Sequence, residues 1–136
     1  MIGVFDSGIG GLGVASAIRK KAPKADLVYF GDLANMPYGP KSKEELVTLT
    51  LRAMAFLRTQ GVSEYVAACN SVSVSVLTPF IESPNGIQMR VIEMVGPTAR
   101  SLAKRPRGKI LVVATIATVR AGLYATAFAR QGLEVE

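Results

Sequence analysis

Short apolar runs and amphipathic segments alternate from one end of the 136 residues to the other. Ile2–Phe5 reads as a strand closed by Asp6, and Leu12–Lys21 as a helix with Val14, Ala15, Ala17 and Ile18 on one face, stopped by Pro23. Leu27–Phe30 predicts a second strand. Ser42 and Glu45 have the spacing of a capping box, which starts a helix carrying Leu46, Leu49, Ala53, Phe56 and Leu57 on one side and ending near Gly61. A third strand is expected over Glu64–Ala68, a helix over Ser71–Ile81, a turn at Pro84-Asn85-Gly86 and a fourth strand over Met89–Val95. Thr98 to Lys104 predicts a helix, Ile110–Ala114 a fifth strand, Val119 to Arg130 a further helix, and Leu133–Glu136 the beginning of a sixth strand. Repeated strand–helix units imply an α/β fold, a doubly wound parallel sheet with flanking helices. In such sheets ligands sit beyond the carboxyl ends of the strands. Polar residues gather there: Asp6 and Ser7, Asp32, Cys69-Asn70-Ser71, Thr115 and Thr118.

Composition narrows the chemistry. The chain has no histidine, no tryptophan and one cysteine. Zinc fingers, His-built metal sites, intrachain disulfides and Ser-His-Asp triads are therefore excluded within it, and no metal is expected. Proton transfer falls to carboxylates, lysines, tyrosines or Cys69. The net charge is +6. Arg100, Lys104, Arg105, Arg107 and Lys109 form a basic run without an acid among them. No aromatic residue interleaves the run. It therefore reads as a helix end and its adjoining loop rather than a nucleic-acid surface. The start lacks a basic segment ahead of an apolar one, and Ile110–Val119 is much shorter than the roughly 20 apolar residues of a membrane span. A cytoplasmic protein with a reduced thiol and no membrane or nucleic-acid partner is expected.

Two local patterns carry chemistry. Gly8-Ile9-Gly10-Gly11-Leu12-Gly13 matches G-x-G-x-x-G between a strand and a helix, the spacing of a dinucleotide-binding turn. Asp6 stands just before it, and a carboxylate there opposes a pyrophosphate on the helix N-terminus. The same place suits a zwitterion, with Asp6 facing an ammonium and Ser7 and the loop N–H groups facing a carboxylate. A non-catalytic module binding a nucleotide or small anion at Gly8–Gly13 is the alternative. The second pattern is Cys69, which ends an apolar strand and precedes Asn70-Ser71 at a helix start. A helix N-terminus stabilises a thiolate, and a thiolate accepts a proton where no imidazole exists.

Phe5-Asp6-Ser7-Gly8-Ile9-Gly10-Gly11, Tyr29-Phe30-Gly31-Asp32, Pro37-Tyr38-Gly39 with Lys41-Ser42, and Ala67-Ala68-Cys69-Asn70-Ser71 occur in this order along the chain. Together they resemble the N-terminal half of the glutamate racemases, in the aspartate/glutamate racemase superfamily. Ala114-Thr115-Ile116-Ala117-Thr118-Val119, with Tyr124 after it, resembles the start of that family's second domain. The resemblance implies a cofactor-independent isomerase that interconverts L- and D-glutamate for peptidoglycan synthesis, by proton transfer between two cysteines. Cys69 would be the first of these. Asp6, Ser7, Tyr38, Gly39, Asn70 and Ser71 would bind the substrate. It implies a first domain over residues 1–95 and the start of a second, similar one over 96–136. A homodimer is compatible with the whole protein. The family's second cysteine stands in a Cys-Thr-His motif, and this chain has neither a second cysteine nor a histidine. A truncated, inactive racemase chain is the expectation. A one-cysteine relative that decarboxylates or isomerises an acid from one face is a weaker alternative.

Overall fold

The computed structural model describes residues 1–77, 90–105 and 108–134. The first 92 residues build a parallel sheet of four strands, β1 (Ile2–Asp6), β2 (Leu27–Gly31), β3 (Glu64–Ala67) and β4 (Arg90–Ile92), in the order β2-β1-β3-β4. Phe5 pairs with Phe30 on one side and Ala67 on the other, which brings three strand ends level. The expected α/β architecture with flanking helices is present.

Period-two alternation divides the strands between two layers. Helix α1 (Leu12–Lys21) covers one face, over Val4 and Val66, with Ile2, Val14, Ala15, Ile18, Leu27 and Tyr29 packed around them. Ala17, expected on the buried face of α1, is exposed. The opposite face carries the larger core, built on Phe5, Tyr65 and Ala67 and covered by α2 (Lys43–Thr59). Helix α2 starts where its capping box stands: Glu45 N donates to Ser42 Oγ at 3.2 Å, and Ser42 N donates to Glu45 Oε2 at 2.8 Å. Leu46, Ala53 and Leu57 are buried as expected, joined by Thr50 and Met54. Phe56 is exposed, but its ring still stacks on Phe30 at 5.3 Å.

After β3 the chain turns into α3 (Asn70–Val72), which continues as a π-helical turn over Ser73–Leu77. Residues 78–81 of the expected helix, the turn at residues 84–86 and Met89 lie outside the described residues. Val72 of α3 and Val74, Val76 and Leu77 of the wider π turn all lie in the core, so the Val-Ser alternation need not form a strand. The next helix, α4 (Val95–Leu102), begins three residues earlier than expected. The cause is Glu93, whose carboxylate accepts from Val95 N and, at 2.9 Å, from Gly96 N.

The largest departure concerns the fifth strand. Ile110 makes an isolated bridge, and residues 111–115 belong to no helix or strand. Leu111 and Val113 are 75% and 87% exposed. A strand exists only by pairing, and this segment joins none of the four described strands. The expected sixth strand is likewise unformed at Leu133 and Glu134; Leu133 N closes back on Phe128 O at 3.0 Å, and residues 135–136 lie outside the description. The helix expected over Val119 to Arg130 is two helices, α5 (Ile116–Ala121) and α6 (Leu123–Ala129). Gly122 separates them at φ +63°, the left-handed conformation that ends a helix.

Candidate functional site

Sheet register delivers the expected residues to one edge. Asp6 ends β1 and is buried, with Oδ2 accepting the Gly8 N–H at 3.0 Å. A Cβ at Gly11 would stand 2.7 Å from Asp6 Cβ and 2.8 Å from Ala68 Cβ, so only glycine lets α1 start this close to the strands. The Tyr29 hydroxyl donates to Gly8 O at 2.8 Å and pins the loop from the far side. Burial first, and then the Asp6 charge, push the Tyr29 hydroxyl above its ordinary value, so it remains a donor. The glycine loop is thus shaped around a carboxylate of its own chain. A phosphate would have to displace or repel Asp6 to use the same N–H group, which counts against the nucleotide alternative.

Cys69 stands at the junction of β3 and α3, buried and in extended conformation as the residue before the helix. Its Sγ lies 3.4 Å from Ser7 Oγ, joining residues 62 apart in sequence. Ser71 Oγ lies 3.0 Å from Thr115 Oγ1, which lies 3.1 Å from Thr118 Oγ1, a row of three hydroxyls. Thr115 also caps α5, accepting from Thr118 N at 3.4 Å. Gly39 packs against it, since a Cβ there would come within 3.1 Å of Thr115 Cβ. Asn70 is exposed and accepts at Oδ1 from the Tyr124 hydroxyl at 2.6 Å.

Tyr38 differs from the rest. It is 2% exposed, and its hydroxyl is committed to Asp32 Oδ2 at 2.6 Å. Burial, the hydrogen bond to Asp32 and the charges of Asp32, Cys69 and Asp6 all push that hydroxyl far above the ordinary tyrosine value. Tyr38 therefore has no free hydroxyl to offer a ligand. Asp32 also accepts from Asn35 Nδ2 at 2.8 and 3.0 Å, and its own N–H donates to Asp6 O at 3.0 Å. Asp32 was visible in the sequence as a strand-end polar residue and as the end of the Tyr29-Phe30-Gly31-Asp32 block. The sequence signalled neither the Asn35 hydrogen bonds to Asp32 nor the long-range contacts of Tyr29 and Tyr124.

A cavity of about 610 Å³ opens beside this cluster, between the 39–43 loop and α5, lined among others by Gly39, Ser42, Leu46, Ile116 and Arg120. The basic run lies elsewhere: Arg100 is in the last turn of α4, Lys104 and Arg105 come after it, and Arg107 is outside the described residues. Among the described residues no helix is long and apolar enough to cross a membrane.

No family model matches the chain. It is 38% identical over 135 residues to the glutamate racemase of Aquifex pyrophilus, an alignment covering 98% of this chain and 52% of that protein. A crystal structure of a glutamate racemase isoform from Bacillus anthracis superposes with a TM-score of 0.88 at 34% identity, over 100% of this chain and 51% of that one. The glutamate racemase of Francisella tularensis in complex with D-glutamate superposes with a TM-score of 0.83 at 32% identity, over 98% of this chain and 50% of that one. The chain spans about half the length of the relatives it matches. Sequence and fold agree along its whole extent, and the chain is a homologue of glutamate racemases over about half of their length.

Proposed function

We propose that this chain forms one half of a glutamate racemase active site, with Cys69 as the acid/base on one face of the substrate. The observation that carries the reading is the contact of Cys69 Sγ with Ser7 Oγ at 3.4 Å, at the strand ends where Asp6, Asn70 and Ser71 also stand. As a thiolate, Cys69 takes the α-proton of glutamate, and the electron pair left on Cα spreads into the α-carboxylate. Donors from Ser7, Asn70 and Ser71 stabilise that developing charge. Asp6, held by Gly8 N through Oδ2, supplies the negative charge that meets the ammonium. Gly39 packs against Thr115, with the buried Tyr38 just before it in the chain. Inversion requires a second acid on the opposite face, and this chain has no other cysteine to supply it. Residues 1–95 are read as one domain and 96–136 as the start of a second. The reading needs no cofactor and implies a cytoplasmic role in supplying D-glutamate for peptidoglycan.

The test is glutamate in D₂O with the 136-residue chain. Glutamate perturbs NMR signals at Ser7, Cys69 and Asn70, and L- and D-forms do not interconvert. Interconversion by this chain overturns the half-site reading. Nucleotide binding in place of glutamate binding overturns the substrate.

A further inference from the structure

Resting on that reading, we infer that Tyr124 is a positioning residue that fixes the amide of Asn70 for an anionic substrate group. The Tyr124 hydroxyl donates to Asn70 Oδ1 at 2.6 Å, across 54 residues of sequence. An asparagine amide is a broad two-fold rotor with an acceptor at one end and two donors at the other. Occupying Oδ1 favours the setting in which Nδ2 is left as the amide's free end. A donor then faces whatever binds beside Cys69, where the flipped amide would present an oxygen and repel a carboxylate.

Three features make Tyr124 a fixed support. Its ring packs on Phe128 at 5.7 Å, and Phe128 is 2% exposed. Burial raises its ionisation above the ordinary tyrosine value, with the Glu93 charge adding to this and Thr98 opposing it, so the hydroxyl stays protonated and donates. The left-handed Gly122 breaks the helix two residues earlier, so Tyr124 stands in the first turn of a separate helix, α6. The helix break, otherwise a cost, thereby acquires a purpose.

The test is a double-mutant cycle on the 136-residue chain, with glutamate affinity read by NMR titration and Tm measured alongside. Tyr124→Phe keeps the ring and removes the hydroxyl. It should weaken glutamate binding about fivefold, the worth of one net hydrogen bond. In an Asn70→Ala background the same substitution should change affinity less than twofold, because nothing remains to position. An equal loss in both backgrounds, or no loss in either, overturns the inference and leaves the glutamate reading standing. Absence of glutamate binding by the unsubstituted chain overturns the glutamate reading and this inference with it. The Asn70 side-chain amide signals supply a second readout: they should shift in Tyr124→Phe, and unmoved signals also overturn the inference.

Discussion

Replacing Tyr38 by Phe removes one oxygen and leaves the ring. The ring is 2% exposed, and its tilted contact with Phe5 at 6.2 Å does not involve the hydroxyl. The loss therefore falls on Asp32, which is 8% exposed and, among the described residues, keeps only the Asn35 amide as a side-chain donor. A hydrogen bond to a charged, buried acceptor contributes about 2 kcal/mol net. For a domain of this size that corresponds to roughly 7 °C in Tm. Urea unfolding at pH 7 should show the midpoint falling with an unchanged slope, since the buried surface is unaltered. Alkaline titration provides an independent arm. Because the hydroxyl ionises at higher pH in the folded chain than in the unfolded one, its contribution is complete below about pH 10 and is lost as pH rises further. Stability there falls with a slope of up to about 1.4 kcal/mol per pH unit for each such tyrosine. Tyr29 and Tyr124 are shifted in the same direction, so Tyr38→Phe should make the alkaline loss shallower without abolishing it. A loss below about 0.5 kcal/mol at pH 7 would show that water satisfies Asp32 as well as Tyr38 does, and would refute the reasoning.

Gly11→Ala should destabilise by roughly 2 kcal/mol in urea, because its Cβ would have to share space with Asp6 Cβ and Ala68 Cβ. Ser42→Ala should cost about 1 kcal/mol at neutral pH through loss of the α2 cap. Glu45, held below its ordinary value chiefly by its hydrogen bonds with Ser42, contributes above that value and loses its contribution as pH falls. Thermal scans of Glu45→Ala and the unsubstituted chain at pH 7 and pH 3 should therefore show a smaller gap between the two at pH 3. Val113→Thr should shift the urea midpoint by no more than about 0.5 kcal/mol, since the side chain is 87% exposed; a loss above 1 would mean that the segment is packed.

Features that depend on neighbours in sequence could be read in advance. The capping box of Ser42 and Glu45 is complete within four residues, and it starts α2 where expected. The first strands and α1 come from periodicity and from Pro23. The Ile110–Ala114 segment has the composition of a strand, but among the described residues only Ile110 makes a bridge and 111–114 lie in no strand, and pairing is not a local property. Glu93 starts α4 from outside the helix, and Gly122 divides a stretch whose apolar spacing runs on unbroken. In the site, Asp6, Ser7, Cys69, Asn70 and Ser71 were legible because they sit at strand ends. Their supports were not: Tyr29 on Gly8, Tyr38 on Asp32, Tyr124 on Asn70 and Thr115 on Ser71 are contacts between distant segments.

The strand order β2-β1-β3-β4 sets the order in which the chain can assemble during its synthesis. Strand β2 joins β1 as soon as the short α1 crossover has emerged, β3 then adds to the other edge of β1, and β4 adds to β3. Each arriving strand finds an edge already present, and none has to be inserted between two earlier ones. A nascent chain can therefore complete Asp6, Ser7, Asp32, Tyr38 and Cys69 as a folded unit while the ribosome is still adding residues beyond β4.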